Sequence, residues 1–259
     1  MGELVLFRRP RADNHSKMLR GSPSTLSRDL IGFRLRGAEV TRLEAFSDAV
    51  FAFALTLLVV SLDVPKTFDD LVTTMRGFPA FALCFLFLTL IWNGHDKFCR
   101  RYGLNDGTTR FLTCVMLFLV LFYVYPLKFL FNVSITGLFG GAGQQLSIKG
   151  SQFSTLLIIY GLGFAAVYLS IMLLYLHAWR LRDALQLNEL ERFDTRYQIF
   201  RLVTLVSFGL IAAILACIPA LYRWSSLVYI LLFPILRISR KRHRRQREPY
   251  LAALTDGPA

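Results

Sequence analysis

At 259 residues, with 54% hydrophobic and only 18% charged residues, the chain is too apolar for an ordinary soluble domain, in which about a quarter of residues are charged. The net charge of +13 does not point to a nucleic-acid partner. Lys and Arg fill the gaps between long apolar blocks and two terminal tails, the pattern that sets membrane topology.

Residues 1–41 read as a polar, basic and mobile tail, and the apolar run Leu4 to Phe7 is too short for the core of a signal peptide. The first apolar block runs from about Leu43 to Leu62 and ends at Asp63-Val64-Pro65. The second runs from Phe78 to Phe98, the third from Phe111 to Phe131, the fourth from Phe153 to Leu176 and the fifth from Leu202 to Ala220. A shorter sixth block, Ser225 to Ile238, follows the turn Pro219 to Trp224 and predicts a helical hairpin with the fifth. Blocks of roughly 20 apolar residues suit helices that cross a bilayer. The stretch holding Gly137, Gly140, Gly141 and Gly143 suits a flexible loop between the third and fourth spans.

Of the 30 Lys and Arg residues, 25 fall on the side that carries both tails and the second–third and fourth–fifth connections. Both termini are therefore expected in the cytoplasm, which requires an even number of spans. The expectation is an all-α integral membrane protein: a basic cytoplasmic tail 1–41, a six-helix membrane domain 42–238 and a basic cytoplasmic tail 239–259. The run RISRKRHRRQR at 237–247 reads first as a topology anchor beside anionic lipid. Cys84, Cys99, Cys114 and Cys217 show no metal or redox spacing and are expected as small buried apolar residues.

The informative residues open the first block. Asp48 stands about a turn into an apolar span, where a charge is expensive and requires protein or water around it; Arg42 and Arg110 are candidate partners. Late in the second block, Trp92 and His95 are three apart and share a helix face. With Ser47 and Asp48 they have the donors and acceptors for a polar cluster, although spacing alone favours a solvated His95 at the cytoplasmic end of the helix.

Arg42, Phe46, Ser47 and Asp48 reproduce an Arg-x-x-x-Phe-Ser-Asp signature, followed by a stretch through Thr56 to Pro65, by Trp92-x-x-His95 and by Pro126. Over residues 38–130 the chain resembles the lysosomal potassium channel family, transmembrane protein 175, and its prokaryotic homologues. The resemblance implies a potassium-permeable channel without a TVGYG filter loop, with no cofactor and with potassium as the permeant ion. It implies a homotetramer of single six-helix repeats in a prokaryotic plasma membrane, its pore lined by the first helix of each subunit. Carried onto this chain, the hydrophobic constriction falls at Phe53, where the family usually has Ile or Leu, and the threonine layer, a transient potassium contact, at Thr56. Helical spacing adds Ala49, Leu57 and Val60 to the same ion-pathway face. Arg42, Phe46, Ser47, Asp48, Trp92 and His95 are then a structural network behind the pore helix. Departures are Asp96, where a second His is usual, and Thr113, where an Asn is often seen.

Other readings are a proton-permeable channel, a secondary transporter and a non-conducting membrane scaffold. Against a transporter, no Gly/Pro pair interrupts helices at matching depth. No nucleophile–base pattern or metal-ligand set supports an enzyme.

Overall fold

A computed structural model describes residues 32–37, 39–60, 65–139, 150–225 and 227–255. Its regular elements are helices: α1 (Arg42–Val60), α2 (Phe68–Arg76), α3 (Phe78–Tyr102), α4 (Gly107–Phe139), α5 (Gly150–Arg180), α6 (Glu189–Cys217), α7 (Tyr222–Ser225) and α8 (Val228–Thr255). Five of them are long and apolar enough to cross a membrane: α1, α3, the first part of α4, α5 and α6.

Local chemistry sets the ends. At α1 the Glu44 amide donates to Thr41 Oγ1 (3.1 Å) while the Glu44 carboxylate reaches back toward the Thr41 amide (3.4 Å), a reciprocal cap. Full capping boxes start α2 (Thr67 and Asp70) and α6 (Asn188 and Glu191). The Asp70 carboxyl lies below its usual range because it accepts hydrogen bonds from the Thr67 side chain and the Thr67 amide. Pro79 sits in the first turn of α3, where its missing N–H costs nothing. Gly103 closes that helix at φ 59°, a left-handed conformation, with its amide on the Cys99 carbonyl. A Cβ at Gly103 would also stand 2.7 Å from the Arg36 carbonyl oxygen.

Two groups of helices share one core. α1 packs on α3 and α4, and α4 on α5; α5 and α6 have the most extensive contact, and α8 lies along α6. The α5–α6 contact is a small-residue seam. A Cβ on Gly161 would come within 2.8 Å of the Ala213 amide, and one on Gly209 within 2.9 Å of the Gly161 carbonyl. Gly161/Ala165 and Gly209/Ala213 are each four apart, the spacing that lets membrane helices approach closely. Between α4 and α5, Tyr123 Oη donates to the Tyr160 carbonyl at 3.0 Å, and Tyr160 Oη in turn to the carbonyl of Pro126.

At one end of the bundle the polar contacts converge on the first turns of α6. Glu191, fully buried, takes the Arg34 amide (3.0 Å), Arg34 Nε (2.9 Å) and Nη2 (2.8 Å), and Arg36 Nη2 (2.7 Å). The hydrogen bond to Glu191 raises the Arg34 pKa further above its ordinary value. One turn on, Asp194 receives Arg247 of α8 through Nε (2.8 Å) and Nη2 (2.7 Å). The ring of His243 lies between Phe193 and Tyr197, with centroids 4.9 and 3.8 Å away and planes nearly parallel. Tyr102 at the end of α3 hydrogen-bonds Thr195 at 2.7 Å. Where the start of α4 meets the end of α5, burial alone would raise the Asp106 carboxyl, but bonds from the Thr109 hydroxyl (2.5 Å) and His177 (2.9 Å) hold it below the usual range.

Several expectations change. α8 runs antiparallel to α6, as the hairpin predicts, and its apolar part leads without a break into the basic run that begins at Arg237. The sixth block is thus the apolar half of a longer helix that continues through the boundary drawn at 238/239 to Thr255. Residues 32–37, expected in a mobile tail, are docked: the Gly37 amide donates to the Arg100 carbonyl at 2.9 Å, and Phe33 and Arg36 are buried. α4 is helical through Gly137 to Phe139, so the expected loop is shorter there. Gly140, Gly141 and Gly143, residues 1–31 and the Leu62-Asp63-Val64 end of the first block lie outside the described residues. Cys84 and Cys99 are buried as expected, whereas Cys114 and Cys217 are exposed on their helices.

Candidate ion pathway and its polar network

α1 divides cleanly into two faces. Ser47, Phe51, Ala54 and Leu58, spaced by three and four, are buried against α3 and α4. Ala49, Phe53, Thr56 and Val60 are exposed on the opposite side, at the 100° per residue of an α-helix. Phe53 is 57% and Val60 70% exposed; Leu57 is half-buried at the edge of that face. Thr56 Oγ1 donates its proton to the Ala52 carbonyl at 2.9 Å, so the oxygen lone pairs of an exposed hydroxyl remain as acceptors.

The polar residues split into two linked groups. Trp92 Nε1 of α3 donates to Asp48 Oδ1 at 2.8 Å, so the carboxylate finds an indole donor where Arg42 or Arg110 was expected. Arg42 is exposed and has no hydrogen bond or ion pair among the described residues. Arg110 bonds Asn105 instead, through Nε to Oδ1 (3.2 Å) and Nη2 to the carbonyl (3.1 Å). Ser47 Oγ donates to the Leu43 carbonyl at 2.8 Å, and Phe46 is exposed. His95 is buried; its Nε2 lies 3.4 Å from Thr113 Oγ1 of α4, with Cys99 Sγ at 3.7 Å. Trp92 and His95 therefore tie α3 to α1 and to α4 respectively. A polar recess of about 240 Å3 lies beside them, lined among others by Glu44, Asp48 and Asp96.

Sequence reasoning did not find the buried pair Glu191 and Asp194. The signal was present: Asn188-x-x-Glu191 is a helix start thirteen residues before the apolar block, and it leaves Asp194 one turn inside a helix. What could not be read is that charges from both ends of the chain would return to it.

An all-helical membrane protein whose first helix turns a largely apolar face outward and hydrogen-bonds its neighbours through polar side chains has the form of a channel subunit. The family model for the endosomal/lysosomal potassium channel TMEM175 matches residues 42–124, the stretch that contains α1, α3 and the first half of α4. A potassium channel from Marivirga tractuosa is 38% identical over 229 residues, covering 82% of this chain and 93% of that protein. A crystal structure of a variant of the potassium channel MtTMEM175, in complex with a nanobody fusion, superposes with a TM-score of 0.74 at 36% identity. It covers 82% of this chain and 97% of the other. A TMEM175 homologue from Chamaesiphon minutus, 21% identical with a TM-score of 0.53 over 78% of this chain and 96% of its own, shares the fold. The chain belongs to the TMEM175 family of membrane channels.

Proposed function

We propose that this chain is a cation channel favouring potassium, a homotetramer in a prokaryotic plasma membrane with both termini in the cytoplasm. Each subunit supplies one outward face of α1, so a continuous pathway needs rotational symmetry to close around an axis. The observation that carries the reading is that face: Ala49, Phe53, Thr56 and Val60 stand opposite the buried side of the same helix in a member of a potassium channel family. Four Phe53 rings form a constriction that stops ions by dewetting, and Thr56 oxygens offer a partly dehydrated cation its contacts. Asp48 and Trp92 then hold the helix rather than the ion. The potassium channel names of the relatives support the choice of ion. No cofactor enters this scheme, and the family is one of channels rather than enzymes.

The test is potassium flux into liposomes holding the purified protein, with sodium as the matched control. Potassium flux well above sodium is expected, and Phe53→Ala should raise the flux of both ions. Unchanged flux in that variant, with the wild type conducting, would remove Phe53 from the constriction. A measured monomer would remove the axial pore.

A further inference from the structure

The exposed side of α8 carries a second feature, independent of the pore face. Phe233, Leu236, Arg237, Arg240, Lys241 and Arg244 line one open recess of about 580 Å3. Their spacing of three, four and seven places them along one stripe of the helix. The stripe changes character along its length. Its first part is apolar, with Phe233 exposed and Leu236 partly buried against the core, and its second part is four cations, all exposed.

The position of that change relative to the membrane follows from α6. The two helices are antiparallel and pinned by Asp194 and Arg247. Stepping eight residues along each from that pair brings Leu202 opposite Ser239. Leu202 is where the apolar part of α6 begins, and Ile238 is where that of α8 ends. Two independent sequence boundaries coincide at one level, which is the membrane surface. The recess straddles it. Arg237 is at the boundary, Arg240, Lys241 and Arg244 lie just beyond it on the water side, and Phe233 lies on the hydrocarbon side.

We infer that this recess binds the headgroup of an anionic phospholipid, the phosphate held by the Arg237, Arg240, Lys241 and Arg244 cations and the upper acyl chain lying on Phe233. Charge complementarity selects an anion. The apolar floor continuous with the cations selects a lipid over a free phosphate or an acidic protein segment. None of the four cations belongs to the ion pairs that hold α8 on α6, where Arg247 and His243 face Asp194. Their charge is therefore not already neutralised by that carboxylate.

The experiment reconstitutes the full-length protein into phosphatidylcholine bilayers doped with spin-labelled phosphatidylglycerol or, separately, spin-labelled phosphatidylcholine. The fraction of label immobilised by the protein is compared for the two lipids. Each cation beside an anionic surface is worth about fivefold in partitioning at low salt. The wild type should prefer phosphatidylglycerol by at least that factor. The variant Arg237→Gln/Arg240→Gln/Lys241→Gln/Arg244→Gln should lose the preference, while Arg242→Gln/Arg245→Gln, on a different face of the same helix, should keep most of it. Glycerophosphoglycerol, the soluble headgroup, should fail to displace the lipid from wild type, an arm that stands even if the quadruple variant does not fold. Absence of preference in the wild type, equal loss in the two variants, or displacement by the soluble headgroup would each overturn the inference.

Discussion

Glu191 gives the sharpest handle on the energetics. Its carboxylate is fully buried and accepts from both Arg34 and Arg36, and Arg36 is itself almost entirely buried. Replacing Glu191 by Gln removes one negative charge and turns one oxygen into an N–H₂ group facing guanidinium donors. Breaking a buried pair from one side costs about 3–5 kcal/mol, because the remaining charge stays desolvated without its partner. The cost should fall on docking of residues 32–37, since α6 keeps its own ladder and its Asn188 side-chain cap. At tenfold per 1.4 kcal/mol, that is about two orders of magnitude or more in the opening equilibrium of the segment. Hydrogen–deuterium exchange of the peptide spanning 32–37 reads it directly, with Gly37, whose amide bonds Arg100, as the reporter. Peptides within α5 should be unaffected. Unchanged exchange at Gly37 in folded Glu191→Gln protein would refute the reasoning, and with it the view that this carboxylate holds the segment.

Gly209→Leu places a branched side chain where even a Cβ meets Gly161 and Ala165 at about 3 Å, and should abolish recovery of monodisperse protein, whereas Gly94→Ala, with open space around it, should be well tolerated. Trp92→Phe keeps the ring but removes the donor to the solvent-exposed Asp48, and should lower stability by about 0.5–1.5 kcal/mol, seen as a lower melting temperature. Burial, helped by the Arg247 charge, holds His243 below its ordinary range against the pull of Asp194. The unfolded chain therefore takes up that proton more readily, and stability should fall as pH drops below about 6.5. His243→Phe should flatten the change in melting temperature between pH 7.5 and 5.5; an undiminished slope would assign the effect to another group.

The membrane class and the seeds of five helices were legible because apolar block length is a strong signal and the bilayer fixes its scale. The pairing of α3 with α1 was legible in kind, through Trp92 and Asp48, but not in detail, and His95 bonds Thr113 of α4 instead. Asp48 satisfies itself with an indole N–H rather than an arginine, which hydropathy and spacing do not distinguish. The helical extensions were harder. Residues 189–201 of α6 and 239–255 of α8 are polar and highly charged, and so resemble connection and tail. They are ordered by each other, through Asp194 with Arg247 and the ring of His243 between Phe193 and Tyr197, and such long-range pairing leaves no local periodicity to read. The short helix α2 could have been found from Thr67-x-x-Asp70.

The docked N-terminal segment enters α1 with little slack. Arg36 is fastened to Glu191 and Gly37 to the Arg100 carbonyl, and four residues separate Gly37 from Arg42. In mechanical terms the first helix is moored at its N-terminal end to the corner where α6 meets α8. A tilt or piston motion of α1 must carry that corner with it or part the Glu191 clasp. Force applied to α8 at the membrane surface thus has a short lever to the proposed pore helix, one that runs outside the apolar core.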